Sequence, residues 1–302
     1  MDVSFIIVNY NTKDQLYNCI TSIIEKTNGI LFEIIVVDNA SVDGSIELLK
    51  SSFADVRIIA NKDNLGFGKA NNLGAKQAIG KYLFFLNSDT ILINNACLSF
   101  FERLENNPKI ASCGGNLIFE DGSENISYGN FPTLSMYFFN HGFKKIFKKY
   151  YNTHLSAGIK VNGRKEPFQV SYVCGADIFV RKNVFDEMKG FNEAFFLYFE
   201  ETDLYKRMAN KGYKSIIYPE IDIIHLSGQS AQKIKQLSND YYHISKFRYV
   251  RMHSGVVKFF FIFLIDIIYA LWLRLIKNDS GLSISLKNVI IDFKNSNIKL
   301  CK

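Results

Sequence analysis

The first hundred residues alternate between two hydrophobic patterns. Four runs are apolar almost throughout and end in Asn or Asp, and the stretches that follow them carry apolar residues at helical spacing. The strand-like runs are "VSFIIVNYN", "FEIIVVDNAS", "VRIIAN" and "KYLFFLNSD". The helices predicted after them cover 12–27, 43–53, 66–79 and 95–106. Apolar strands of this kind are typical of parallel sheets covered on both faces. The pattern therefore predicts an α/β fold with a mostly parallel central sheet and helices on both faces.

The pattern is less regular from residue 115 onward, where residues 115–167 predict loops and a variable region. "FQVSYVCGADIFVRK" predicts two short strands flanking Gly175. "KSIIYPEIDIIHLSGQS" predicts a strand, a turn at Pro219 and a second strand. Helices are predicted over 183–189 and 200–211. We therefore expect one domain over residues 1–230, with halves of about 1–114 and 115–230.

Residues 231–302 form a C-terminal extension of different character. It contains "VVKFFFIFLIDIIYALWLRLI", in which the clean apolar run covers only 259–273 and carries Asp266 at its middle. A spanning helix needs ~20 predominantly apolar residues, and a carboxylate within it is costly in lipid. Basic residues flank the run on both sides. We predict a helix that lies on a membrane or inserts shallowly, with a buried packing helix and a true span as open alternatives.

The charge balance narrows the classes of partner. The 302 residues carry a formal net charge of +7, which suits nucleotide phosphates or anionic lipid head groups. A basic cluster at 144–149 either contacts acidic lipid or acidic glycan, or is simply exposed to solvent. No nucleic-acid-binding signature accompanies the charge, so we expect no nucleic acid partner. The five cysteines are scattered, which predicts reduced thiols in a cytosolic compartment rather than a disulfide framework.

Candidate metal ligands follow the fourth predicted strand. Asn87 and Asp89 lie one residue apart at its end, and His225 comes from far along the chain. Oxygen ligands of this kind suit Mg²⁺ or Mn²⁺. The alternatives are that Asp89 caps the next helix and that His225 is structural.

Other polar segments suggest a nucleotide and a reacting hydroxyl group. Asp38 either forms a turn or accepts hydrogen bonds from a nucleobase or ribose. "NLGFGKANN", from Asn64 to Asn72, has glycines at a helix start that could cradle phosphate. "FFLYFEETDLYKR" crowds Glu200, Glu201 and Asp203 behind aromatic residues. These acids either decorate a helix N-terminus or act as a base whose proton affinity is raised by crowding.

Taken together, these segments resemble the family 2 glycosyltransferases of the GT-A fold. The order is "SFIIVNYN", "IIVVDNASVDGS", "NLGFGKANN", "YLFFLNSDT", "VCGADIFVRK", "FFLYFEETDLYKR" and "IIHLSGQS". The resemblance is greatest to the bacterial rhamnosyltransferase-like branch, which builds surface polysaccharides, and covers about 3–230. It implies a nucleotide-sugar half over 1–114 and an acceptor half over 115–230.

The resemblance implies roles for particular residues. The nucleotide-sugar positions are Val8, Tyr10, Asp38, Asn64, Asn71 and Ser88, and the acceptor turn is Gly175 and Ala176. Asn87 and Asp89 match the two ends of the metal motif, with His225 as third ligand. Glu200 and Glu201 match the acidic pair whose second member is the general base, with Asp203 as the alternative base. Three departures stand out: Asn87 replaces an Asp, Asn71 replaces an Arg, and Glu201 replaces the commoner Asp.

The implied function is an inverting, metal-dependent sugar transfer. The donor would be a nucleoside diphosphate sugar, with dTDP-rhamnose favoured and UDP- or GDP-sugars open. The acceptor would be a saccharide on a polyprenyl lipid. The cofactor would be Mn²⁺ or Mg²⁺. The protein would act at the cytoplasmic face of the bacterial inner membrane, and its C-terminal extension would contact the anionic membrane surface. The alternatives are a catalytically silent nucleotide- or sugar-binding module and a membrane-surface scaffold.

Overall fold

The computed structural model describes residues 1–140, 148, 150, 151, 155–226, 235–277 and 281–295. The strands in this part of the chain are β1 Val3–Asn9, β2 Phe32–Asp38, β3 Arg57–Ala60, β4 Tyr82–Asn87, β5 Thr90–Leu92, β6 Ile110–Ile118, β7 Tyr128–Gly129, β8 Phe168–Gln169, β9 Tyr172–Val173, β10 Asp177–Arg181 and β11 Lys214–His225. The helices are α1 Lys13–Lys26, α2 Ser45–Ser52, α3 Phe67–Gln77, α4 Ala96–Glu105, α5 Leu134–Phe138, α6 Lys182–Glu187, α7 Glu200–Asn210, α8 Lys235–Lys277 and α9 Gly281–Asn295.

One large sheet carries the domain, with its strands in the order β3-β2-β1-β4-β10-β6-β11-β5 and β8 paired to β11. The strands β3, β2, β1 and β4 are parallel to one another. β10 runs antiparallel between β4 and β6, while β6 and β11 are again parallel. The expected mostly parallel sheet is confirmed. The predicted division at 114/115 falls inside β6, so the two halves share this one sheet.

Helices cover both faces of the sheet, as the apolar strands predict. One core cluster joins α1, α2 and α4 to one set of strand side chains, among them Phe5, Phe84 and Phe179. The other joins α3, α6 and α7 to the alternate side chains, among them Ile6 and Phe85. Because side chains alternate along a strand, both faces of β1 and β4 are buried, and their carboxyl ends are held in fixed positions.

Three features of the sheet differ from the sequence prediction. β6 and β5 were not expected, and the turn predicted at Pro219 is wrong. β11 continues through Pro219 and adjusts its pairing with β6 by a register shift between Ile217 and Asp222. β6 was missed because it contains Gly114 and Gly115. A Cβ at Gly114 would lie 2.4 Å from Val173, and one at Gly115 would lie 2.3 Å from the Ile221 carbonyl oxygen, so close packing requires both glycines.

The C-terminal extension is helical, as expected, and folds back on itself. α8 breaks at Gly255, whose φ of 80° and ψ of 169° are not helical. Lys246 in the first half forms a buried ion pair with Asp266 in the second, so the two halves lie side by side. Phe247 packs on Phe259 and Phe263. These residues belong to a third core cluster that also contains Met136, Tyr137 and residues of α9.

The second half of α8 has two different faces. One face is buried through Ile262, Asp266 and Ala270. The other exposes large apolar side chains: Val257, Phe260, Phe261, Leu264, Ile268, Leu271, Trp272, Leu275 and Ile276. Within the described residues, one helical stretch, Ser238–Ile276, is long and apolar enough to cross a membrane by length and composition.

Two sequence predictions lie partly outside the described residues. Of the basic cluster, Lys144, Lys145 and Lys149 lie outside them, and so does Cys301. The other cysteines, Cys19, Cys97, Cys113 and Cys174, are free thiols. Burial raises the pKa of Cys19 and Cys174 to about 12, which keeps both thiols protonated and unreactive at neutral pH.

Candidate functional site

The carboxyl ends of β1, β2 and β4 carry a buried hydrogen-bond network, which we call the donor edge. It consists of Asn9, Thr12, Asp38, Ser41 and Ser88. The Asn9 side-chain amide donates to Asp38 Oδ2 at 2.7 Å, and the Ser41 backbone N–H donates to Asp38 Oδ1 at 2.8 Å. The Thr12 hydroxyl bonds Asn9 Oδ1 and the Ser88 hydroxyl, both at 2.7 Å. The network arises because β1 pairs in register with both β2 and β4. It fixes Asp38 and Ser88 without help from the rest of the chain.

The two other predicted positions at the end of β1 are half-buried. Val8 lies between Val37 and Asn87 in the sheet, and Tyr10 follows directly after the strand. Asn71 is buried in α3, and its side-chain amide donates to the Phe67 carbonyl at 3.1 Å.

The glycine turn before α3 ties the donor edge to the acid-rich segment. Asn64 Oδ1 accepts a hydrogen bond from the Gly66 backbone N–H at 2.9 Å. The next residue, Phe67, donates its backbone N–H to the Phe196 carbonyl at 2.9 Å. Gly66 has a φ of 80°, and an added Cβ would lie 2.2 Å from the same carbonyl oxygen. Only glycine fits this position, because the backbone is left-handed and the two loops touch.

The predicted metal ligands do come together. The β11–β5 pairing places His225 opposite Thr90, one residue after Asp89. His225 Nε2 lies 3.3 Å from Asp89 Oδ1 and 3.3 Å from the Asn87 side-chain amide nitrogen. Asp89 and His225 are buried, and among the described residues His225 Nδ1 has no hydrogen-bond partner.

This donor set fits a divalent ion. A carboxylate and an amide both lie beside one imidazole nitrogen, and carboxylate oxygens, amide oxygens and imidazole nitrogens are all metal ligands. Phosphate and water oxygens commonly complete such a shell. Within the described residues no group of three or more His, Cys, Asp and Glu side chains is placed to hold a metal ion. The cluster contains two such side chains, Asp89 and His225, because its third member, Asn87, is an amide.

The acidic pair opens helix α7. Glu200 is only 4% exposed, and Glu201 is half-buried. Burial and the neighbouring Glu201 carboxylate raise the pKa of Glu200 well above its usual range. Burial also raises the pKa of Glu201. Glu200 Oε2 has no hydrogen-bond partner within the described part of the chain. Both carboxyl groups therefore favour the protonated form more than a free glutamate does.

The backbone that leads into this helix is strained. Tyr198 and Phe199 both have a φ of 68°, in the left-handed region that non-glycine residues avoid. Each such residue costs about 1–3 kcal/mol and persists only when its surroundings hold it. Strain of this kind immediately before Glu200 and Glu201 shows that the position of the acidic pair is imposed by packing.

Asp203, the alternative base, has both oxygens occupied. Its side chain is 2% exposed. Oδ2 accepts from Arg207 Nε at 2.8 Å, and Oδ1 lies 2.7 Å from His253 Nε2. His253 was missed by the sequence analysis, because nothing in its local sequence connects it to a segment 50 residues earlier. The geometry therefore favours Glu201 over Asp203 as a base.

Cys174 is close enough to Asp89 and Glu201 to feel the charge of both carboxylates. After burial, the carboxylates of Asp177, Glu201 and Asp89 contribute to its raised pKa of about 12. Cys174 immediately precedes Gly175 and Ala176, the predicted acceptor turn. The Ala176 carbonyl accepts the Asn87 backbone N–H at 3.1 Å, which joins this turn to the end of β4. The turn is thus bonded to the end of β4, next to Asp89, and Cys174 beside it is within electrostatic range of Glu201.

A match to a family model identifies the family of this chain. Residues 4–188, more than half of the chain, match the model described as glycosyl transferase family 2. The chain belongs to this family. One glycosyl transferase family 2 relative is the N-acetylglucosaminyl-diphospho-decaprenol L-rhamnosyltransferase of Mycobacterium tuberculosis. It is 22% identical over 236 residues, which cover 74% of this chain and 76% of the relative.

A shorter match carries higher identity. An uncharacterized glycosyltransferase of Bacillus subtilis, YfnE, is 34% identical over 116 residues. That match covers 38% of this chain and only 30% of YfnE, so the chain spans less than a third of that relative's length.

Solved structures of glycosyltransferases share the fold. GalNAc-T7 with UDP, GalNAc and Mn²⁺ superposes with a TM-score of 0.58 at 16% identity, covering 74% of this chain and 43% of that one. The mannosyltransferase PcManGT of Pyrobaculum calidifontis, in complex with GDP-Man and Mn²⁺, gives 0.54 at 13% identity, covering 97% and 74%. The expected GT-A fold is confirmed, and so is membership of the family. The individual site assignments stay predictions.

Proposed function

We propose that this protein transfers a sugar from a nucleoside diphosphate sugar to a saccharide hydroxyl with inversion, and that Glu201 is the general base. The observation that carries the proposal is that Glu201 and Asp89, from distant parts of the chain, both lie close enough to Cys174 to raise its pKa, next to the predicted acceptor turn. A base and a diphosphate-binding group near one turn are what a displacement at the anomeric carbon needs.

The chemical step uses one carboxylate. Glu201 takes the proton of the acceptor hydroxyl as its oxygen forms a bond to the anomeric carbon of the donor sugar. The bond from that carbon to the diphosphate oxygen breaks, and its electron pair leaves with the diphosphate. Glu200 supports this role because burial and the neighbouring Glu201 carboxylate raise the pKa of Glu200, which makes Glu200 the natural proton carrier of the pair and Glu201 the base.

The donor edge would hold the nucleotide. Asp38, fixed by Asn9 and Ser41, presents a rigid acceptor for the base or ribose, next to Val8 and Tyr10. Ser88 belongs to the donor edge, and Asn64 Oδ1 accepts a hydrogen bond from the side-chain amide of Asn39, the residue after β2. Asn71 would contribute from α3. The relative named as an L-rhamnosyltransferase favours dTDP-rhamnose as donor, and the structures with UDP and GDP-Man keep UDP- and GDP-sugars as alternatives.

Asp89, His225 and Asn87 would hold Mn²⁺ or Mg²⁺. Both structural relatives are complexes with Mn²⁺, and Asp89 and Asn87 each lie 3.3 Å from His225 Nε2 here. When bound, the ion supplies positive charge that stabilises the leaving diphosphate. Asp89 would be the strongest ligand of the three, because it alone brings a carboxylate to the ion.

The acceptor would be a saccharide on a polyprenyl lipid at the cytoplasmic face of the bacterial inner membrane. The M. tuberculosis relative is named for a decaprenol-linked substrate. The exposed apolar face of α8, with Lys258 and Arg274 also exposed on this helix, suits shallow insertion into an anionic surface. A full span by the second half of α8 would separate Asp266 from Lys246 and leave a carboxylate in the lipid, which is costly.

Vesicle flotation tests this membrane association. Leu264→Glu and Ile268→Glu together should abolish flotation with anionic vesicles, whereas Val42→Glu, at a side chain that is also exposed, should not. Equal flotation of both variants would contradict the assignment of this face.

Calorimetric titration tests the proposed reaction class. The purified protein is titrated with dTDP, UDP and GDP and their sugars, with and without Mn²⁺. We expect Mn²⁺-dependent binding that prefers one nucleotide, followed by transfer to a lipid-linked saccharide. A folded protein that binds no nucleotide would overturn the proposal. Binding without hydrolysis or transfer would instead indicate a silent binding module.

A further inference from the structure

The loop that precedes the acidic pair is held by a helix distant in sequence. We call residues 192–199 the acid loop and residues 238–253, the first half of α8, the brace. The brace residues that contact the acid loop or α7 recur at three- and four-residue spacing: Ser238, Tyr241, Tyr242, Ser245, Arg248, Tyr249, Met252 and His253. This spacing places them along one face of the helix. One face of the brace therefore packs against the acid loop and the start of α7.

Polar side chains of the brace fix the backbone of the acid loop. Ser245 Oγ donates to the Leu197 carbonyl at 2.8 Å, and the Arg248 guanidinium donates to the Ala194 carbonyl. The Ser238 and Tyr198 hydroxyls bond each other at 2.6 Å. Carbonyls outside helices and strands need such partners when they lie beneath other elements. These bonds define the path of the loop up to its left-handed residues.

Aromatic packing holds the left-handed residues themselves. Phe199 packs on Tyr249 with ring centroids 5.5 Å apart, and together with Phe195 they form a small buried cluster. Phe196 stacks on Tyr241 at 4.4 Å. The φ values of Tyr198 and Phe199 are thus kept by side chains that the brace supplies.

The brace also reaches α7 beyond the acidic pair. His253 Nε2 lies 2.7 Å from Asp203 Oδ1, and Asp203 is one turn or less from both Glu200 and Glu201. On its other side Asp203 binds Arg207, which donates to the Gly190 carbonyl at 2.9 Å. His253 thus closes a buried chain of polar contacts that fixes the first turn of α7.

We propose that the brace positions Glu201 for transfer, and that His253 is a positioning residue acting through Asp203. The inference rests on the proposed role of Glu201. The donor edge is bonded within the central sheet, so loss of the brace should disturb acceptor activation and leave donor binding intact. The opposite face of the brace packs on the second half of α8 through Lys246 and Phe247, which links this positioning to the helix with the exposed apolar face.

The test compares His253→Ala with His253→Gln and with a control on the same helix. Gln keeps an N–H donor that can reach Asp203, and Asn239→Ala alters an exposed side chain of the brace. We expect His253→Ala to lower kcat about 10- to 100-fold, as displaced catalytic groups do, with donor Kd within about twofold of wild type. His253→Gln should recover part of kcat, and Asn239→Ala should match wild type.

The outcomes separate this inference from the proposed function. If Glu201→Gln abolishes transfer while His253→Ala retains full kcat, the brace is not a positioning element. A parallel loss of donor affinity in His253→Ala would also overturn it. If Glu201→Gln itself transfers normally, the proposed base is wrong before the brace is tested. Should His253→Ala fail to fold, Ser245→Ala removes a single hydroxyl and should give a smaller loss of kcat with the same unchanged donor Kd.

Discussion

Asp38 on the donor edge and Glu200 at the start of α7 are both buried carboxyl groups, but their surroundings differ. Asp38 is fully buried, and each of its oxygens accepts a hydrogen bond at 2.7–2.8 Å. Glu200 is nearly as buried, yet one of its oxygens has no partner within the described residues, and the backbone before it is left-handed. Asn9 and the Ser41 backbone satisfy Asp38, whereas the loop before Glu200 packs against α8. The donor edge is thus a stable scaffold, and the acidic pair is a destabilising feature that the fold tolerates, as at many reactive sites.

The largest effect should come from Glu201→Gln, which removes the base and keeps its shape. We expect kcat to fall about 10²- to 10⁴-fold, the usual contribution of a general base. Donor affinity should be unchanged, because the donor edge is intact. Glu120→Gln, at an exposed position, is the control for charge removal. Full activity of Glu201→Gln would remove the acidic pair from the mechanism.

On the donor side, Asp89→Asn should weaken metal-dependent donor binding. We expect Kd in Mn²⁺ to rise about tenfold or more, since each ~1.4 kcal/mol of lost interaction is tenfold in affinity. Titration of the same nucleotide without Mn²⁺ should give similar weak binding for variant and wild type. Asp55→Asn, at an exposed position, provides the matched control. A variant that keeps the full response to Mn²⁺ would show that Asp89 is not a ligand.

Where the two regions touch, Gly66→Ala should be strongly destabilising. The new Cβ would meet the Phe196 carbonyl oxygen at 2.2 Å in a left-handed backbone. We expect the free energy of unfolding to fall by about 3 kcal/mol or more, by urea denaturation. Gly122→Ala isolates the backbone contribution, because Gly122 has a φ of 78° with nothing within 4 Å. It should cost about 1–2 kcal/mol. If Gly66→Ala and Gly122→Ala lowered the free energy of unfolding equally, the contact between the two loops would not contribute to stability.

The smallest effect should be a pH-dependent gain in stability in Glu200→Gln. The pKa of Glu200 is higher in the folded state than in the unfolded state, where it is about 4.5. The contribution of Glu200 to the free energy of unfolding is therefore complete below pH 4.5 and is lost as pH rises through the folded pKa. The variant has no carboxyl to ionise. Its Tm should therefore exceed that of wild type by a few degrees at neutral pH, and the difference should shrink toward pH 4.5. A constant difference at all pH values would contradict the raised pKa.

The central strands and their helices could be predicted from the sequence because burial on both faces leaves a direct pattern. β1, β2 and β4 appear as continuous apolar runs, and α1 and α4 begin and end within one residue of their predicted bounds. The first residue of α7 was predicted correctly, from acids that open the helix. β6 was missed because tight packing against neighbouring chain selects glycines, which in sequence resemble a loop.

The metal candidates, Asp38 and the acids of α7 were predicted from the sequence pattern, and the family resemblance assigned their roles and added the other site residues. The structure adds what local sequence does not contain. Asn9 and Thr12 fix Asp38 and Ser88 through strand register, which depends on pairing between distant segments. His253 and Ser245 hold the acid loop through tertiary contacts over about fifty residues of chain. Such contacts carry no periodic signal, so only the folded chain reveals them.

The most direct test of the central claim is a crystal structure with a nucleoside diphosphate and Mn²⁺ bound. The account predicts the base beside Asp38, an anomalous manganese peak in contact with Asp89 and His225, and the Glu201 carboxylate facing the far side of the diphosphate, where an acceptor hydroxyl can approach. A nucleotide bound away from the donor edge, or a diphosphate and metal that leave Glu201 on the same side as the leaving group, would contradict it.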